Sequence, residues 1–466
     1  MGKAVLAEEV LLSYLTDLAK GSVGFIPGLI VGQTINENDY VLHLMRTPLH
    51  ESQTKDSTPV KVASLSKMSD LQESWVAEHA KCVTRMLPGG ISVLGIFVIG
   101  PDDILIDTAG QNKFRSTVVQ IHKKLTADKF LFGNGTSSEK IVLQFARNSL
   151  RYSCKSFDVE NASSNLKPVE WRFTSQPTRW HQLKCHFNLD SVGSIQFSPD
   201  NLKQSLQSQF DKVVQAVADN LEISIFTINS HMRAESTPLS NLEGNDSDVF
   251  STKLADSKTG SGKRKVANIL STHIVDFYQD CNKICNIRPY SRCKSLELKC
   301  SGVLESHIYV HEKGTVGDGI KILKEDILRS LFSRLEMHYE TLIEEEAAAT
   351  PTDGTVLHEP PRRVMISLAN SDINFYDYLF PGEGVSEIHQ SLQEFLDLKV
   401  DTTLINKNFE GKAGNSLDSD ERLAEFALQG AKSVQGFSFP TLRIASLIVA
   451  LAILLISIIV QLYSRQ

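Results

Sequence analysis

The chain has 466 residues, 41% of them hydrophobic and 22% charged, which excludes wholesale disorder or a fibrous repeat and leaves room for two or three domains of ~150 residues each. Lys and Arg number 48 against 55 Asp and Glu, a net charge of −7, and the basic residues are scattered. That argues against a nucleic-acid binder. Seven cysteines without a short-spaced framework suit a reducing compartment better than a secreted disulfide scaffold.

The opening MGKAVLAEEVLLSYL is interrupted by Glu8 and Glu9 and does not read as a signal peptide. Val23 to Val31 and Tyr40 to Leu44 predict two neighbouring strands, with Pro27 placing the first at an edge or bulge and Arg46-Thr47-Pro48 ending the second. Leu71, Trp75, Val76, His79, Cys82, Val83 and Met86 fall at helical spacing, and Pro88-Gly89-Gly90 stops that helix before a buried strand, Ile91 to Ile99. His79, on the apolar stripe, reads as a satisfied core residue. Phe114 to Leu125 predicts a further helix, Lys140 to Phe145 and Arg151 to Val159 a pair of strands, Leu183 to Leu189 a strand, and Leu202 to Leu221 a helix. Strands alternating with helices predict an α/β layer fold for residues 1–229.

Residues 230–265, rich in Ser, Asn, Asp, Gly and Lys, predict a disordered loop. A second α/β domain is expected over 266–400, from strands at Ile269 to Tyr278, Leu296 to Cys300 and Val303 to Val310, then a long helix from Ile320 to Leu342. Strands at Arg363 to Leu368 and Ile373 to Leu379 and a helix from Val385 to Leu396 complete it. Residues 401–443 are polar and predict a flexible tether; about 40 such residues have a reach of ~35 Å.

Between Arg443 and Arg465 the segment IASLIVALAILLISIIVQL, Ile444 to Leu462, contains no charge. As a helix it is ~28 Å long, close to the ~30 Å hydrocarbon core and a good match to the thinner membrane of the endoplasmic reticulum. A single C-terminal transmembrane helix is expected, with Ile444, Leu447, Leu451, Leu455, Ile459 and Leu462 spread along the span. Emerging last from the ribosome, it implies tail anchoring, with the bulk of the chain cytosolic and the sequons at Asn134, Asn161 and Asn245 chance matches.

No catalytic, cofactor or metal residues are expected. Cys281, Cys285, Cys293 and Cys300 lack the tight pair of a structural zinc site. His307 and His311 lie in a predicted strand, not on a helix with a neighbouring Glu. Gly260-Ser261-Gly262-Lys263 is not a Walker loop, and Gly314, Gly317 and Gly319 run in the reverse order of the dinucleotide fingerprint and read as a tight turn.

The segments FIPGLIVGQ (25–33), DYVLHLMRTP (39–48) and WVAEHAKCVTRMLPGGISVLGIFVI (75–99), followed by the HIYVH strand, RVMISL and DYLF, resemble the odorant response abnormal protein four (odr-four-like) family. The resemblance implies a membrane-anchored, non-catalytic adaptor of the endoplasmic reticulum. Its implied partners are a cysteine protease specific for the ubiquitin-fold modifier and multi-spanning receptors undergoing maturation and export. The order of N-terminal elements also resembles the MPN fold. No Glu stands at Phe25 to Gly28 and no His pair follows Leu94-Gly95, where Ile96, Phe97, Val98 and Ile99 stand instead, so the resemblance implies a metal-free copy.

Trp75, Arg85, Met86, Leu87 and Pro88 join residue types that anchor protein interfaces and form the candidate interface; the same segment also reads as a helix end packed on its own sheet. The competing functional class is a tail-anchored hydrolase with an unrecognised thiol or metal site.

Overall fold

A computed structural model describes residues 3–21, 23–48, 65–101, 104–132, 137–161, 163–189, 206–242, 269–278, 302–348, 359–368 and 371–410. Met1–Glu410 forms one compact unit, set apart from 411–466. The described residues all belong to that unit. The expected span at 444–462, the helical possibility at 422–428 and the cysteines from Cys281 to Cys300 lie outside them. Among the described residues no helix is long and apolar enough to cross a membrane.

The chain opens with β1 (Ala4–Glu8) and α1 (Glu9–Gly21), then the hairpin β2 (Ile26–Ile35) and β3 (Asn38–Arg46). Its turn residues Asn36 and Glu37 both have positive φ, 50° and 68°, as a two-residue hairpin turn of the right twist requires. Next come α2 (Glu73–Met86), β4 (Ser92–Gly100), α3 (Thr108–Thr126), a single turn α4 (Lys129–Phe132), β5 (Glu139–Ala146) and β6 (Tyr152–Asp158). Two short strands, β7 (Lys167–Pro168) and β8 (Glu170–Thr174), complete a sheet of order β7-β6-β5-β4-β2-β3-β1-β8. Only Val169 separates β7 from β8. Its N–H donates to Cys154 O at 3.0 Å, while β8 pairs in parallel with β1. One strip of chain therefore touches both ends of the sheet, which curls around α1: Leu11, Leu15 and Ala19 share a core with Val5, Phe97, Phe145, Cys154 and Trp171. The opposite face packs Leu29, Val31, Ile96, Val98 and Val142 against Val76 and Val83 of α2 and Phe114 and Val118 of α3.

Strand β9 (Trp180–Asn188), helix α5 (Leu206–Ile223), strands β10 (Ile225–Ile228), β11 (Ile269–Tyr278) and β12 (Val303–His311), and helix α6 (Val316–Ala348) build a second layer, with sheet order β10-β11-β9-β12. Leu183, Cys185 and Val310 face Val213 and Val217 of α5 and Leu323 and Ile327 of α6 in its core. A small third sheet, β14-β13-β15, is made by β13 (Arg362–Leu368), β14 (Ser371–Leu379) and β15 (Ile405–Asn406), with α7 (Val385–Phe395) against it.

Three expectations are corrected. The boundary between domains at 229 and 266 cuts through a sheet: β9 lies between β11 and β12, parallel to the first and antiparallel to the second. The stretch expected as a disordered loop begins within that layer. Its first part, 230–242, is ordered, with Leu239 and Leu242 buried and Thr237 O accepting from Val316 N at 2.8 Å. Within the expected tether, residues 401–410 are packed, Ile405 pairing with Ile366. Pro27 lies in a central strand, between β4 and β3, instead of at an edge. It is tolerated because N and O of one strand residue point the same way, and Pro27 O receives Thr47 N at 2.9 Å just past the end of β3, so the missing N–H forfeits only the reciprocal bond of that terminal pair.

The first and second layers are joined at β12. Gln33 of β2, buried, donates from Nε2 to Gly90 O at 2.9 Å and Tyr309 O at 3.0 Å, and its Oε1 accepts from His311 N at 2.8 Å. Tyr309 N donates to Gly89 O at 3.0 Å. Gly90 has φ of 88°, and a Cβ there would sit 2.1 Å from Tyr309 O, so only glycine allows the approach. Gln33→Leu strands the half-buried Gly90 carbonyl, the buried Tyr309 carbonyl and the buried His311 N–H, and should cost about 2–4 kcal/mol. A lowered urea midpoint with unchanged slope is the expected result; an unchanged midpoint contradicts the joint.

Candidate functional site

The residues singled out as an interface lie in an internal joint, as a helix end packed on its own protein would. Met86 and Leu87 are buried in the core under the first sheet, and Pro88 is buried beside them. Arg85 and Lys81 both reach Glu336 of α6, each at 2.6 Å, with Lys81 also 3.7 Å from Asp128. Trp75, half-buried, donates from Nε1 to Pro48 O at 2.8 Å. Residue types that anchor contacts between chains also anchor contacts between layers of one chain.

The most densely connected polar cluster lies where α6, β12 and β13 meet, and the sequence reading missed it. Asp326, fully buried, accepts from Arg363 Nη1 at 2.7 Å, Arg363 Nη2 at 3.1 Å and Ser306 Oγ at 2.6 Å. The Arg363 guanidinium lies 3.8 Å above the Tyr376 ring. Glu410 accepts from Arg334 at 2.8 and 3.1 Å and from Arg363 N at 2.9 Å. Burial alone would raise the Asp326 carboxyl, but the Arg363 charge and its hydrogen bonds hold it below the usual carboxylate range. The only sequence signals are an Asp and an Arg at inward positions of an amphipathic helix and a strand, 37 residues apart.

A second cluster sits between β9 and β11. His181 Nδ1 is 2.7 Å from Ser271 Oγ, which is 2.7 Å from His273 Nε2, and Asn229 Nδ2 is 3.1 Å from His273 Nδ1. Asn229 Oδ1 accepts from Ile274 N at 3.0 Å, so its amide donates to His273 Nδ1. The proton of neutral His273 then sits on Nε2 and donates to Ser271, whose own hydroxyl donates to His181. His273 is thereby a donor to the hydroxyl, the opposite of a general base. The described cysteines Cys82, Cys154 and Cys185 are free thiols; burial pushes all three up, Cys154 and Cys185 far above the ordinary thiol, which suppresses the thiolate.

His307 and His311 lie on one strand as expected, His311 stacked on Tyr40 at 3.8 Å and His307 edge-on to Phe409 at 4.9 Å. Among the described residues no three His, Cys, Asp or Glu side chains gather as metal ligands would. Gly314 forms a tight turn, its N–H donating to His311 O at 2.8 Å. Thr315 and Asp318 cap α6 reciprocally, at 2.9 and 3.2 Å. His79 is a satisfied core residue, Nε2 donating to Phe395 O at 2.8 Å and Nδ1 accepting from Thr47 Oγ1 at 3.2 Å. An open cleft of about 360 Å³ beside α4 is lined by Asp128 and Asp211 but equally by Lys129 and Lys212. Lys129 already lies 4.5 Å over Phe130 and bonds Gln215 at 2.6 Å.

Removing one partner of the Asp326–Arg363 pair leaves a buried charge, so Asp326→Ala and Arg363→Ala should each cost about 3–5 kcal/mol. The double variant Asp326→Leu, Arg363→Met should be less destabilised than either by urea unfolding; simple addition of two losses is the contrary result. Burial lowers His79, His273 and His311 to about 4 each. A histidine that stays neutral when folded contributes stability fully present above its unfolded value near 6.5 and lost as pH falls toward 4, by about 1.4 kcal/mol per pH unit for each such group. Asp377, raised by burial to about 7, and Glu8, Asp39, Asp211 and Glu305, raised by burial as well, act oppositely, while His43, lowered to about 4, and His307, to about 3, add to the histidine side. Unfolding midpoints should therefore fall steeply between pH 7 and pH 5; a flat profile contradicts the buried neutral histidines.

Residues 28–407 match the protein family described as ODR4-like: Odorant response abnormal 4-like. Similar curated proteins include a protein odr-4 homolog of Gallus gallus, 28% identical over 409 residues, 85% of this chain and 84% of that protein. Another is the protein odr-4 homolog of Homo sapiens, 27% identical over 404 residues with the same coverage. A solved structure, UfSP from C. elegans, aligns over 89% of this chain and 61% of its own at a TM-score of 0.45 and 8% identity. With a family match running from near the start of the first hairpin to the end of the third sheet, the chain belongs to the ODR4-like family.

Proposed function

We propose that this chain is a non-catalytic adaptor, tail-anchored in the endoplasmic reticulum membrane with its body in the cytosol. It holds a cysteine protease specific for the ubiquitin-fold modifier at that membrane and assists the maturation and trafficking of multi-spanning receptors. The observation that carries the reading is the chain's membership of the ODR4-like family. The uncharged run from Ile444 to Leu462 supports the anchor, being of spanning length.

The chemistry of the body is consistent with binding. Its described thiols are held protonated, and its densest polar groups are engaged in joining layers. A metal-free MPN-like character is part of the proposal: Ile96, Phe97, Val98 and Ile99 fill the two cores on either side of β4, at the place where zinc-binding members carry histidines. Tethering to a shared membrane turns a bulk encounter into one at an effective concentration up to millimolar for a suitable linker. A weak interface then suffices.

Truncation before Arg443 should release the chain from membranes resistant to alkaline carbonate, and proximity labelling from the N-terminus should capture the modifier-specific protease. Persistence of the truncated chain in the pellet overturns the anchor. Sugar on Asn134 or Asn161 overturns the orientation, and reproducible absence of the protease overturns the partner.

A further inference from the structure

The register of the first sheet brings three chain segments to one end. Ile26 pairs with Ile99, Gly100 with Ala146, and Phe145 with Tyr152. The residues just before β2, just after β4 and between β5 and β6 therefore emerge together. Arg147 fastens them, its N–H donating to Gly100 O at 2.7 Å and its guanidinium to Val23 O at 2.6 Å and to Gly24 O. On these segments stand Val23, 89% exposed, Ile106, 77%, Leu150, 48%, and Tyr152, 41%. The first two are the most exposed large hydrophobic side chains among the described residues. Leu150 has φ of 54°, a left-handed conformation that leucine rarely adopts, at the hairpin tip beside exposed Arg151, Asn148 and Ser149.

We propose that this end of the body inserts Val23, Ile106 and Leu150 into the headgroup region of a lipid bilayer. The side chains stand singly on separate segments among polar neighbours, so they offer no continuous apolar face for a protein partner. An interfacial lipid layer accepts isolated apolar side chains, with Tyr and Arg at its polar level. Tyr152 and Arg151 flank the tip accordingly. The inference rests on the proposed tail anchor. The 33 residues from 411 to 443 can extend to at most ~115 Å, enough for the body's own surface to decide which end meets the membrane.

The test uses the full chain in vesicles of phosphatidylcholine and phosphatidylserine with brominated acyl chains, comparing Leu150→Trp and Val23→Trp with Met232→Trp, an exposed position on the second layer, after subtracting the unsubstituted chain. Because all three sites are exposed, the variants keep the core intact. The Leu150→Trp and Val23→Trp signals should be quenched at least about twofold more than the Met232→Trp signal. A vesicle-bound chain with equal quenching at all three sites overturns the insertion while leaving the anchor standing. Failure of the chain to float with vesicles overturns both. Protection of the Leu150→Trp signal from a water-soluble quencher only on adding a protein fraction, without lipid quenching, assigns this end to a protein partner and overturns the proposal.

Discussion

Strand β12 is an edge by topology and a core strand by burial, and that conflict governs how the layers assemble. A buried edge exposes N–H and C=O groups to a medium without water, so each needs a partner from elsewhere. Here the partners come from two other layers. Gly89 accepts from Tyr309 N, the Gln33 amide takes Tyr309 O and His311 N as a peptide unit would, and Tyr376 Oη donates to His307 O at 3.1 Å. Each contact places a residue of the first or third sheet at a set position along β12. The layers thus meet in one register because any slip would leave several buried polar groups unpaired at about 1–3 kcal/mol each.

Charge reinforces that register without replacing it. Asp326 and Arg363 cross from α6 to β13 in full burial, where the attraction is strong but the loss of hydration offsets much of it. Their value lies in direction: a bidentate pair, backed by Ser306 and the Tyr376 face, accepts one orientation of the third sheet. By contrast the Lys124–Glu78 pair, at 2.6 Å and with both side chains largely in solvent, contributes little whatever its distance.

Local signals in the sequence reached most elements. The stripe from Leu71 to Met86 and the stop at Pro88-Gly89-Gly90 correspond to α2 and its end, and Ile320 to Leu342 lies within α6. What periodicity does not carry is partner choice. The residue in β2 that reads as an ordinary strand glutamine bonds a strand 276 positions away, and Arg85 finds Glu336 across 251. Strands β1 and β8 were missed because five residues hold too little alternation to stand out, and β8 pairs only with β1. The polar run from Ser230 reads as a disordered loop because composition registers hydration, whereas Leu239 and Leu242 are two buried contacts that hold 230–242 in the core with α6. The family resemblance was legible; the polar knot at Asp326 was not, since its members lie on separate elements with no shared spacing.

That the candidate interface residues engage their own chain follows from the same limit. Trp, Arg and Met mark sites where a large, partly polar surface is desolvated, and sequence does not distinguish desolvation by another molecule from desolvation by a later part of the same chain. Lys81 and Arg85 converge on one carboxylate, and burial, which alone would raise Glu336, is outweighed by the Arg85 charge and the hydrogen bonds from both cations. Two cations on one anion would leave excess charge in a half-buried seam, but Asp128 at 3.7 Å and Glu340 at 3.9 Å complete the balance. The seam therefore closes electrically within Met1–Glu410, and neither cation is left to seek an external carboxylate. Val23 and Ile106, the large apolar side chains that remain most in water among the described residues although the core is complete, stand elsewhere, at one end of the first sheet.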